Sequence, residues 1–207
     1  MSTRTLAIWC PDWPVVAARR EDPELAGRPV AVLAQARVLA ASAEARAERV
    51  VAGLRRREAE ARCPGLAVVE VDPCAEVRAF ESVVRAVEAF APRIEIDRPG
   101  LLAIPTRGPA RYFGGDAALV DVVREAVLAT GVPAVRLGIA DGGFAARLAA
   151  RREEVVPGGG TPTFLAPWSV SHLGDPDLAR VLVRSGEHTS ELQSPCNLVC
   201  HLLLEKK

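Results

Sequence analysis

The stretch RTLAIWCPDWPVVAARR, residues 4–20, limits the fold more than any other part of the chain. Arg4 to Trp9 is apolar enough to run through the middle of a sheet, as a strand covered on both faces. Asp12 stands at the N-cap position of a following helix, and Pro14 falls in the first turn, where a missing N–H is no loss. Strands that stop at a helix N-terminus are where enzymes collect metals and phosphates. This strand ends instead on Trp9, Cys10 and Pro11.

With 207 residues, 49% of them hydrophobic, the chain can bury roughly 70% of its unfolded surface, as one large domain or a domain and a fragment. Formal net charge is zero, so no global field draws the chain to nucleic acid, and any DNA contact has to come from a local patch. No apolar run of about 18 residues and no signal-peptide core occur, which reads as a cytoplasmic protein without a membrane segment. Cys10, Cys63, Cys74, Cys196 and Cys200 show no paired spacing, which favours reduced thiols.

Composition changes near residue 184. Up to Val183 there is no lysine or asparagine and Gln35 is the lone glutamine, whereas RSGEHTSELQSPCNLVCHLLLEKK holds both lysines, Asn197 and Gln193. RSGEHTSELQS also resembles a reading frame through a common sequencing adapter. Residues 184–207 are therefore read as an assembly or cloning artefact and set aside from fold reasoning. The C-x3-C of Cys196 and Cys200, beside His201, is poor zinc-ligand spacing.

Along the body, 29–33 and 37–41 read as short strands around a tight connection. Ser42 caps a helix to about Val51, helix continues over 54–62, and CPG at 63–65 stops it. A strand at 66–71 precedes a long helix from Pro73 to about Phe90, in which Val77, Phe80, Val84, Val87 and Phe90 recur at helical spacing. Residues 93–97 and 101–105 form a hairpin turning on RPG. A helix at 116–130, a strand at 134–140 and a helix at 144–152 follow. PGGGTP at 157–162 reads as a flexible linker, with no lysine after it to make a phosphate loop.

Three stretches, in order, resemble the Y-family (UmuC/DinB-type) DNA polymerases. LAIWCPDWPVVAA lies where that family has its first catalytic strand. PVAVLAQARVLAASAEARAERVVAGLRRREAEARCPGLAVVEVDP resembles the fingers segment, in which a Ser-Tyr-Glu-Ala-Arg helix and a Cys-Pro precede a strand. IEIDRPGLLAIPTRGPARYFGGDAALVDVV and VRLGIADGGFAARLAA resemble the second catalytic hairpin and the last palm strand and helix. TPTFLAPWSVSHLGDPDLARVLV resembles the beginning of a thumb. WCPDWP and RPGLLAIPTRGPARYFGG specifically resemble the ImuB-type branch, polymerase-like members of damage-induced mutagenesis cassettes. The likeness runs over residues 3–183 and is specific in combination.

The resemblance implies an α+β fold: a Y-family palm, with a mixed, largely antiparallel sheet and helices on one face, a small helical fingers insertion and the start of a thumb. Residues 1–163 would be palm and fingers, 164–183 the thumb's start, and 184–207 the artefactual tail. The family holds two divalent ions on one Asp at the end of the first strand and an Asp-Glu pair on the second hairpin. Those positions are Trp9, Asp97 and Arg98 here. An indole cannot ligate magnesium, and Arg98 repels a cation and can pair with Asp97. The resemblance thus implies a degenerate site with no catalytic residue, no metal and no cofactor. The family's aromatic platform corresponds to Trp13, followed by Pro14, its tyrosine to Ala43, and its two lysines around the palm helix to Gly143 and Arg147. Candidate phosphate or DNA contacts are Arg46, Arg55, Arg56, Arg57 and Arg147. The plainer readings make Asp12 a helix cap, Asp97 an ion-paired strand end, the arginines solvated helix faces, and Trp9 and Trp13 core.

The function implied is a non-catalytic, protein–protein scaffold in translesion mutagenesis and DNA repair. Its family partners would be an error-prone C-family DNA polymerase, the sliding clamp and a RecA-like accessory protein. The chain reads as a truncated product that binds DNA weakly or not at all. Two other classes compete: a weakly active translesion polymerase recruiting Asp12, Asp141 or Glu95, and an unrelated α/β nucleotide-binding enzyme. The last demands a parallel, doubly wound sheet.

Overall fold

The computed structural model describes residues 3–169 and His172. The chain opens with β1 (Arg4–Trp9) and α1 (Trp13–Glu21), then β2 (Val30–Ala34), β3 (Arg37–Ala41), α2 (Ala43–Ala47), α3 (Arg56–Arg62) and β4 (Ala67–Glu70). It continues with α4 (Pro73–Glu88), β5 (Glu95–Arg98), β6 (Leu101–Pro105), α5 (Arg107–Phe113) and α6 (Asp116–Leu128). β7 (Arg136–Asp141), α7 (Gly143–Arg152) and α8 (Thr161–Leu165) follow.

Two sheets form. The larger, in the order β5-β6-β1-β7, is antiparallel throughout, so the doubly wound parallel sheet of an unrelated nucleotide-binding enzyme is not what forms. The smaller, β3-β2-β4, is mixed: β2 is antiparallel to β3 and parallel to β4. Gln35 and Ala36 make the β2–β3 turn with both residues at positive φ, the geometry whose twist suits a two-residue hairpin.

β1 is buried on both faces because alternate side chains enter two cores. Leu6 and Ile8, beside Leu102, Ile104, Leu137 and Ile139, meet Phe80, Val83 and Val87 of α4 and Leu119, Val123 and Val127 of α6. On the opposite face Ala7 and Ala140 meet Ala145, Ala146, Ala149 and Ala150 of α7. Helices therefore cover both faces of this sheet rather than one. Where β7 passes under α7 there is no room for a side chain, because a Cβ at Gly138 would stand 2.1 Å from the Ala150 amide nitrogen and 2.2 Å from the Ala149 carbonyl carbon.

Arg4 fastens the far end of the sheet. Its Nε donates to Asp116 Oδ2 at 2.6 Å, Nη1 to Asp141 Oδ1 at 3.2 Å, and Nη2 to the Val156 carbonyl at 2.7 Å.

Local readings are corrected at several points. Asp12 is not a side-chain cap: it sits at φ 52° with no capping hydrogen bond, and its carboxylate turns to Arg46. α2 stops at Ala47 instead of reaching Val51, because Arg49 at φ 63° turns Val50 into the core of the small sheet. Helix resumes at Arg56, not Leu54, because Gly53 and Leu54 exchange backbone hydrogen bonds with Val38 on the edge of β3. α5 was not visible in the pattern, since none of its residues is buried. PGGGTP is tied down: Gly159 N–H donates to Asp141 Oδ2 at 2.7 Å and Asp141 N–H to Thr161 Oγ1 at 3.0 Å. Phe164 and Trp168 then pack into the α7 core. Most of the thumb's start and all of the 184–207 tail lie outside the described residues.

Candidate functional site

The site forms where one end of the larger sheet meets α7. Trp9 pairs with Leu101 of β6 on one side and Arg136 of β7 on the other, and Leu101 pairs with Arg98 of β5 beyond a bulge at Asp97. Strands lie about 4.8 Å apart, so Arg98, Leu101, Trp9 and Arg136 stand in one row across the sheet. Phe144, Arg147, Leu148 and Arg151 recur at helical spacing on α7 and close the other side. With Asp97 and His172 they line an open cleft of about 190 Å³.

The charge in the cleft is mostly positive. The Arg136 and Arg151 guanidinium carbons lie 5.5 and 5.9 Å from the centroid of the Trp9 ring, within cation–π range. Arg136 Nη1 also donates to the Arg151 carbonyl at 3.4 Å. Arg147 Nη1 donates to Asp97 Oδ1 at 2.8 Å. Arg98 makes no ion pair among the described residues. Among the described residues three guanidiniums and one carboxylate line the cleft, and a fourth guanidinium, that of Arg136, stacks on Trp9 beside it.

These residues do not fit a pair of divalent ions, which want converging carboxylate oxygens. Trp9 offers none, Asp97 is engaged by Arg147, and Arg98 adds like charge to a cation. The other carboxylates stand apart. Asp12 pairs with Arg46 at 2.6 Å. Asp141 lies at the other end of β7, opposite Arg4, five residues or about 17 Å from the Arg136 that faces Trp9. Glu95 borders a smaller hollow with Asp97, Gly143 and Arg147. Among the described residues no three His, Cys, Asp or Glu side chains are grouped to hold a metal.

Of the residues singled out in the sequence, Trp9, Asp97, Arg98 and Arg147 come together in the cleft. Asp97 pairs with Arg147 across the cleft, not with its neighbour Arg98. Arg46 donates to Asp12 and to the Ala41 carbonyl beside the small sheet. Arg55, Arg56 and Arg57 lie at and beyond the start of α3, away from the cleft: the Arg55 amide donates to Glu58 and Arg56 pairs with Glu60 at 2.8 Å. Trp13 is core. It is buried, donates from Nε1 to the Glu76 carbonyl at 3.0 Å, and meets Phe80 edge-on at 5.0 Å. Trp9, by contrast, is half-buried between guanidiniums. Cys10 directly behind it is no nucleophile, since burial pushes its thiol up to about 12. Sequence reasoning missed Arg136 and Arg151. The i, i+4 spacing of Arg147 and Arg151 was the available signal, because it places both on one helix face.

Comparison with solved structures finds the same architecture in several DNA polymerases. The chain is similar to the Dbh ternary complex with partially disordered substrates (18% identity, TM-score 0.71, 88% of this chain and 57% of that one). It is also similar to the insertion ternary complex of Dbh DNA polymerase (17%, 0.72, 88% and 58%) and to DinB from Sulfolobus solfataricus (18%, 0.65, 88% and 57%). At such identities the likeness concerns the fold, and the chain spans less than two thirds of each of these neighbours. No curated protein matches the chain. A family model, IMS (impB/mucB/samB family), matches residues 8–151. That span takes in the strand end, the hairpin and the α7 face that build the cleft, and the chain belongs to the impB/mucB/samB family.

Proposed function

We propose that this Y-family polymerase-like chain is a non-catalytic, ImuB-type component of damage-induced translesion synthesis, acting by protein–protein assembly. One observation carries the reading: Arg136 and Arg151 stack on Trp9 and Asp97 is bound to Arg147, and by the resemblance Trp9 and Asp97 correspond to positions where the family keeps metal carboxylates. Nucleotidyl transfer needs cations to activate the primer hydroxyl and to neutralise the departing pyrophosphate. A site with four arginines and one engaged carboxylate gathers anions instead. The partners proposed are an error-prone C-family DNA polymerase, the sliding clamp and a RecA-like accessory protein.

Primer extension with Mg2+ and with Mn2+ tests this. The expected result is no template-directed incorporation with either ion. Incorporation that Asp12→Ala or Asp97→Ala abolishes would establish a working, rebuilt metal site and end the non-catalytic reading.

A further inference from the structure

We propose that the Trp9 cleft docks a short acidic segment of a partner protein, setting carboxylates among Arg98, Arg136 and Arg151 and an apolar side chain against Trp9, Phe144 and Leu148. The proposal rests on the non-catalytic reading of the site and names what occupies it.

Three observations support it. The Arg136 and Arg151 guanidiniums both stack on one indole, with no carboxylate paired to either among the described residues. A planar guanidinium without an acidic partner matches an incoming carboxylate in two parallel hydrogen bonds. Among the described residues the one acid lining the cleft, Asp97, is already committed to Arg147, so Arg98 and Arg151 in the lining, and Arg136 on the Trp9 ring beside it, have no ion-pair partner. The floor is apolar and aromatic, the composition that anchors a peptide side chain at the centre of an interface.

A nucleic-acid strand fits less well. Sequence-independent binding of a single strand needs a basic groove that follows successive phosphates. This cluster instead ends at β5, where Glu95 stands beside the cleft and would repel a continuing phosphate backbone.

The test uses the full chain and a short fluorescent peptide of alternating Asp and Glu around one Phe, read by anisotropy at low ionic strength. Binding is expected, weakening as salt rises. Arg136→Gln with Arg151→Gln is expected to weaken it about tenfold or more, and Arg107→Gln with Arg111→Gln on α5, the same change in net charge, by less than about twofold. All four arginines are exposed, and melting curves check that each variant folds. If the first pair melts early, Arg98→Glu on the exposed edge strand is expected to give a comparable loss. No binding by the parent, or equal loss in the two pairs, overturns the proposal. So does tighter binding of a single-stranded oligonucleotide that the cleft variants abolish, which would make the cleft a nucleic-acid surface. Primer extension judges the non-catalytic reading separately, whatever the peptide does.

Discussion

Gly138→Ala tests whether α7 is seated on the sheet by the absence of a side chain. The new methyl would lie 2.1 Å from the Ala150 nitrogen and 2.6 Å from its Cα, against an ordinary contact of 3.4 Å or more, so helix and strand must separate by about 1.3 Å. Four alanine methyls and the Leu148 side chain are buried under α7, roughly eight carbons, worth about 6 kcal/mol at ~0.8 kcal/mol each. A gap of 0.5–1 Å already forfeits a quarter to a half of such contact energy, so the loss expected is about 3 kcal/mol. With a urea slope near 2 kcal/mol per molar, the unfolding midpoint should fall by about 1.5 M. Ala150→Gly added to Gly138→Ala should restore little, because the obstruction is backbone. A midpoint within about 0.3 M of the parent would refute the close-seating account.

Two further outcomes follow from groups nearer the N-terminus. Burial raises the Cys10 thiol from 9.0 to about 12, so the folded state holds that proton when the unfolded chain has lost it. The stability it contributes is complete below about pH 9 and should fall by about 1.4 kcal/mol per unit as pH rises toward 12. Urea unfolding at stepped alkaline pH checks this, and Cys10→Ala must flatten the slope relative to the parent. Trp13→Ala should cost about 3–5 kcal/mol, since it removes a buried indole, its edge contact with Phe80 and its bond to the Glu76 carbonyl. A loss below about 1 kcal/mol on urea unfolding would mean that Trp13 is not the core residue described.

Elements whose apolar face is continuous were legible in the sequence. β1 shows as an unbroken apolar run, and α4 through Phe80, Val84 and Val87 at helical spacing. The failures have specific physical origins. α5 has no fully buried residue, only Ala110 and Phe113 leaning on the core, and so leaves too little periodic trace to read. Val50 is apolar as a helix residue would be, yet it enters the core through a left-handed turn at Arg49 that nothing in the local pattern announces. At the site, resemblance could place Trp9, Asp97 and Arg98 at one sheet end. It could not tell that Asp97 would choose Arg147, fifty positions away, over the adjacent Arg98. Arg136 is found only through strand register, because what brings it to the Trp9 ring is lying opposite Trp9.

The position of β1 has a consequence for biosynthesis. β1 is an inner strand made well before its two neighbours, Ala7 pairing with Ala103 and then with Gly138. Pairings so distant along the chain close slowly, and until then the nascent polypeptide carries an apolar ribbon with both hydrogen-bonding edges open. Arg4 completes its bonds only once Val156 has been made. A chain that ends between Pro105 and Arg136 would hold that ribbon half-paired, and it should collect in aggregates rather than persist as a smaller domain.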